Sequence, residues 1–140
     1  MSRHRSRHRA VQVLYQCDVR QVRPDQAISD FYGSLYSEES ENEIGKDEFM
    51  EELVHGVNRN RQEIDKLLQN ASENWRVERM PAVDRNILRL ASYEMLAGHL
   101  PAPVVIDEAL ELARRFSGDE SVSFVNGVLE GVKRQLAATP

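Results

Sequence analysis

Apolar residues recur at spacings of three and four along most of this chain. Val13, Leu14 and Cys17 form one stripe, Phe49, Leu53 and Val57 another, and Ile64, Leu67 and Leu68 a third. In the second half Val83, Ile87, Leu90 and Ala91 repeat the pattern, followed by Ile106, Ala109, Leu110, Ala113 and Phe116. Val122, Val125, Leu129, Val132 and Leu136 close the series. Residues three and four apart share one face of an α-helix, so the pattern predicts helices at about 7–21, 24–36, 46–57, 60–73, 81–97, 103–116 and 121–136. No comparable alternation of period two occurs. The predicted fold class is all-α, a compact bundle of about seven helices.

The punctuation between stripes agrees. Pro81 and Pro103 suit the first turn of a helix, where a missing N–H costs nothing, and Pro24 fits the same role. Ser117-Gly118 stops the sixth helix, and Asp119 or Ser121 can cap the seventh. The acidic stretch SEESENEIGKDE, Ser37 to Glu48, reads as a solvated loop. Asn74 to Met80, with Trp75 before Pro81, marks a second break. The expected organisation is a single domain, 1–140, built from an N-terminal helical subdomain of about 1–74 and a C-terminal one of about 75–140.

Composition fits this picture: 140 residues, 41% apolar and 29% charged, describe a globular chain able to bury a core unaided. No apolar run approaches the roughly 20 residues that span a bilayer, and no apolar segment follows the basic start as in a secretory signal. The expectation is a cytoplasmic protein with no membrane partner. Cys17, the single cysteine, reads as an inert buried thiol.

Charge changes the picture more than composition does. The net charge is -5, yet four of the 18 basic residues, Arg3, Arg5, Arg7 and Arg9, crowd into the first nine positions. A phosphate responds to the local field rather than to the total. On a helical wheel Ala10, Val13, Leu14 and Cys17 define a buried face, and Arg5, His8, Arg9, Gln12, Tyr15 and Gln16 the opposite one. Arg3 and Arg7 fall back over the buried face, which suggests that the helix begins late and the first residues form a mobile arm. Guanidiniums fork onto phosphates and Tyr15 can stack on an unpaired base. The stretch alone fits either binding of nucleic acid or an acidic partner, or a solvated, solubilising terminus.

Other residues are less decisive. Phe124 fits either the core or an exposed stacking platform, and Asp84, Arg85, Arg89 and Glu94 fit structural ion pairing. Glu108 and Glu111 share the polar side of a helix, but the sequence shows no histidine, serine or glycine loop arranged around them. With the four histidines scattered, neither a catalytic site, a metal site nor a cofactor is expected.

Four segments, the Arg-rich start with AVQVLYQ, DRNILRLASYEM, PAPVVIDEALELARRFSG and SVSFVNGVLEGV, resemble the transcription antitermination factor NusB family. The resemblance implies an all-helical fold of two subdomains. It also implies binding to the boxA element of nascent ribosomal RNA as a complex with NusE, a small ribosomal subunit protein. That pair would then join an antitermination complex with NusA, NusG and RNA polymerase. For RNA it implies Arg3, Arg5, Arg7, Arg9, Gln12 and Tyr15, with Glu120 and Phe124 at the start of the last helix. For NusE it implies the helix carrying Asp84, Arg85 and Glu94. If His4 and His8 touch phosphate, affinity should rise as pH falls. The alternative is a homodimeric or hetero-oligomeric protein-interaction module without sequence-specific RNA binding. A similar domain also precedes a ribosomal RNA cytosine methyltransferase, whose cofactor-binding part this sequence lacks.

Overall fold

The computed structural model describes residues 2–38 and 45–138. Its described residues form seven α-helices: α1 (Arg3–Arg20), α2 (Pro24–Glu38), α3 (Glu48–Arg59), α4 (Arg61–Ala71), α5 (Ala82–Ala97), α6 (Ala102–Phe116) and α7 (Asp119–Ala138). A short 3-10 turn at Val77–Arg79 joins α4 to α5. All-α is therefore the fold class.

Local chemistry fixes the boundaries. Ser2 starts α1 by accepting the Arg5 backbone N–H at 3.2 Å, and the Asp47 carboxylate starts α3 by accepting that of Met50 at 3.0 Å. Gly98, in the left-handed region at φ 71°, ends α5. Gln69 ties down the α4–α5 connection, accepting the Val77 N–H and donating to the Trp75 carbonyl.

The helix α5 lies at the centre, packed against α1, α3, α4, α6 and α7. Residues on several of its sides are therefore buried, including Asp84, Asn86, Arg89 and Glu94 beside Ile87, Leu88 and Leu90. Met50 and Leu53 of α3, Ile64 and Leu68 of α4, Leu112 of α6 and Leu129 of α7 complete the interior. Two glycines allow the closest approaches. The Tyr93 ring occupies the space a Cβ on Gly56 would need, and a Cβ on Gly131 would lie 2.8 Å from the Ala71 methyl.

Three expectations require correction. The mobile arm is instead the first turns of α1, which begins at Arg3. The acidic stretch is not a solvated loop throughout: α2 runs to Glu38, and Asp47 is buried as the α3 cap, while residues 39–44 lie outside the described residues. Cys17 is half-buried rather than fully enclosed, and burial raises its thiol pKa, so the thiol stays protonated.

Candidate nucleic-acid interface

The α1 helix divides its arginines between interior and surface. Arg7 is buried on α5, where its Nε donates to both Glu94 carboxylate oxygens at 3.1 and 2.9 Å and its Nη2 to Oε1 at 2.8 Å. The hydrogen bond to Glu94 raises the Arg7 pKa further, against the opposing effect of burial. This bidentate fork is how a helix can carry a guanidinium on its core face.

Arg9, expected on the solvent side, is buried as well. Its Nη1 lies 3.5 Å from Asp47, and its guanidinium sits 5.8 Å from the Phe31 ring centre. Asp47 is itself braced: Ser6 Oγ donates to it at 2.8 Å, and the Tyr32 hydroxyl accepts its backbone N–H at 2.9 Å. That hydroxyl also donates to Glu51 at 2.7 Å. Burial and the bond to Glu51 push the Tyr32 pKa up to about 12, so the hydroxyl keeps its proton. Arg3 is exposed, with its guanidinium 4.6 Å from the centre of the Phe49 ring.

Arg5, Gln12 and Gln16 are exposed along the outer face of α1, with Tyr15 half-buried beside them. Arg5, Gln12 and Gln16 line a groove of about 770 Å³ with Arg20, with Asp30 and Phe31 of α2 and with Arg115 of α6. Tyr15, Gln12, Val83 and Phe116 line an adjoining apolar notch of about 160 Å³. His8 lines the groove, its ring centre 5.0 Å from that of Phe116 and 5.0 Å from that of His4. Burial, then the Arg115 charge and His4, lower the His8 pKa, so the imidazole stays neutral below its ordinary midpoint. Any gain in RNA affinity from protonating His8 therefore shifts to lower pH than the sequence suggested.

Arg115 and Phe116 escaped the sequence analysis as surface residues. The periodicity assigns Phe116 to the α6 core stripe, and only the way α6 lies against α1 turns its half-buried ring toward His8 and Tyr15.

At the start of α7, Glu120 is exposed and Phe124 half-buried. The Phe124 ring meets Trp75, itself 51% exposed, edge-on at a centroid distance of 6.1 Å. Phe124 is thus neither wholly core nor a bare platform.

The residues assigned by resemblance to a protein partner lie mostly inside, engaged in the structural polar pairing that the sequence also fits. Asp84 is buried, accepting Ser117 Oγ at 2.9 Å and Ser121 Oγ at 3.1 Å, and so holds the α6–α7 joint to α5. Glu94 is held by Arg7. Arg85 donates to Asp18 at 2.8 Å and to the carbonyls of Val77, Glu78 and Met80. Arg89 grips Asp65 through two hydrogen bonds and reaches Asp18 at 3.3 Å. Burial pushes the Asp18 carboxyl up, but hydrogen bonds from Arg85 and Asn86 outweigh it and hold the pKa below its ordinary value.

One expectation about α6 is overturned: a histidine is arranged around Glu108 and Glu111. His4 Nδ1, from the first turn of α1, lies 3.1 Å from Glu108 Oε2 and 3.8 Å from Glu111 Oε2.

An all-helical bundle with a cationic, aromatic-edged groove along one amphipathic helix is the class of protein that the described residues define. Within that class the chain belongs to the NusB family, whose pattern it matches over residues 4–134. It is 53% identical over 135 residues to the transcription antitermination protein NusB of Solibacter usitatus, covering 96% of this chain and 90% of that protein. It is 39% identical to the Bacillus subtilis protein of the same name, covering 97% and 98%. Among solved structures, Thermotoga maritima NusB superposes with a TM-score of 0.80 at 31% identity, covering 96% and 92%. A crystal structure of the antitermination factors NusB and NusE in complex with double-stranded RNA matches with a TM-score of 0.81 at 26% identity, covering 96% and 99%. No helix among the described residues is long and apolar enough to cross a membrane.

Proposed function

We propose that this chain is a transcription antitermination factor that binds the boxA element of nascent ribosomal RNA together with NusE. The complex then joins NusA, NusG and RNA polymerase. The observation that carries this reading is the continuous α1–α6 face, where Arg5, Gln12, Tyr15, Arg115 and Phe116 set cations, amides and aromatic edges side by side. Cations anchor a phosphate backbone, while rings hold unstacked bases, so the combination favours a single strand. The solved relative in complex with NusE and double-stranded RNA supports NusE and RNA, at that coarser level, as the partners.

Within this reading the arginines have different duties. Arg3 and Arg5 meet phosphate directly, and Gln12, Tyr15, Glu120 and Phe124 contact the strand. Arg7 and Arg9 act from inside by fixing the pose of α1. For NusE, Asp84, Arg85 and Glu94 likewise shape α5 from within.

Fluorescence-anisotropy titration of a labelled boxA-like strand tests this against a scrambled strand and a duplex, with and without NusE, at several salt concentrations. Tighter binding to the boxA-like strand, strengthened by NusE, is the expected result. Arg5→Ala should weaken binding and reduce the salt slope by about 1, while Phe124→Ala should weaken it by about 1–3 kcal/mol with the slope unchanged. Equal, weak binding to all three nucleic acids would instead leave a protein-interaction module.

A further inference from the structure

His4, Glu108 and Glu111 place three donor atoms from two helices within 4.8 Å of one another. Glu108 and Glu111 stand at i and i+3 on one face of α6, so the backbone fixes two like charges side by side. The imidazole comes from the first turn of α1, which the Ser2 cap holds in place, and its ring is packed against that of His8. A single Nδ1 proton can serve only one of the two carboxylate oxygens it faces.

The spacing admits a metal ion as well as the single hydrogen bond from His4 to Glu108. A tetrahedral ion with bonds of about 2.0–2.2 Å holds its ligands roughly 3.4 Å apart. The two imidazole-to-carboxylate distances, 3.1 and 3.8 Å, lie either side of that value. One imidazole with two carboxylates selects the zinc-like transition metals over calcium or magnesium, which prefer oxygen throughout. The side chains of His4 and Glu111 are 46% and 60% exposed, which leaves an entry path from solvent.

We propose that His4 Nδ1, Glu108 Oε2 and Glu111 Oε2 form a divalent transition-metal site with the fourth position open to water. The neutral imidazole and two carboxylates balance the charge of the ion, and the bound metal cross-links the first turn of α1 to the middle of α6.

The test is a Co²⁺ titration of the full, tag-free chain, followed by visible absorption, with Zn²⁺ as competitor. One equivalent of Co²⁺ should give tetrahedral bands that Zn²⁺ abolishes, and Zn²⁺ should raise the melting temperature. Loss of a supporting hydrogen bond alone weakens metal sites by about 10–100-fold, so His4→Ala and Glu108→Gln should each weaken binding by about 100-fold or more. The more exposed Glu111→Gln provides a variant with little risk to folding, and His99→Ala should leave binding unchanged. Co²⁺ bound equally well by wild type and a folded His4→Ala or Glu111→Gln variant would overturn the site, as would no binding up to about 1 mM, a free energy of only about -4 kcal/mol.

Discussion

Arg7 shows what one residue contributes when it stands where pattern alone would forbid it. Its side chain is 5% exposed and that of Glu94 10%, so each charge depends on the other for solvation. Glu94→Ala should destabilise the fold by about 3–5 kcal/mol, because it strands a buried cation, whereas an apolar replacement of both residues should cost far less. Denaturant unfolding of the single and double variants measures the difference. His8 makes a second prediction at this scale. Its pKa is lowered in the folded chain, so between that value and about 6.5 the unfolded chain binds more protons, and stability falls as pH drops. His8→Gln should flatten the pH dependence of stability between about pH 7 and 5.5, read from melting temperatures across that range. The wheel marked the face on which Arg7 lies, but its partner is 87 positions away. No local pattern carries that distance, and the mobile-arm expectation followed from its absence. The same limit hid Asp47 behind Arg9.

At the scale of the helices, sequence and structure agree closely wherever a stripe is flanked by a cap or proline. Each of the seven predicted helices exists, and α5 and α6 differ from their expected starts by one residue. Agreement is poorest at α1, which starts four residues before its predicted position because Ser2 caps it and Glu94 and Asp47 neutralise Arg7 and Arg9. The sequence marked the α4–α5 break at Asn74 to Met80 but not its internal order, which depends on Gln69 and Arg85 reaching back to it. Close helix contact supplies a prediction here. Gly56→Ala forces the Tyr93 ring away and should cost about 1–3 kcal/mol, the usual range for overpacking. Gly33→Ala on α2, with nothing near the new methyl, should raise stability by up to about 1 kcal/mol through helix propensity alone, and provides the control in thermal unfolding.

Across the whole molecule, α5 gathers the long-range polar contacts that connect early and late helices. Asp18 of α1 takes hydrogen bonds from Arg85, Asn86 and Arg89, and Arg89 continues to Asp65 of α4. Because the Asp18 pKa is depressed in the folded chain, its contribution is present above about pH 4 and is lost as pH falls through the folded value. Asp18→Asn should lower stability at neutral pH and reduce the slope of acid unfolding, measured by circular dichroism. Of the candidate groove, Arg5, Gln12 and Tyr15 were legible, all on one short segment, whereas Arg7 and Arg9 of the same segment turned inward. Arg115 and Phe116 were not legible, because they join it only through the docking of α6.

The bracing of Arg7 and Arg9 has a genetic consequence. A screen for alleles that lose ligand recognition should recover substitutions at Asp47 and Glu94 alongside those on the exposed face of α1. Such alleles would resemble contact mutants in the cell, yet neither carboxylate reaches the surface. They would reveal themselves by suppression: a neutral, space-filling change at Arg9 or Arg7 should restore a protein carrying the matching lesion, which no second change could do for a lost surface contact.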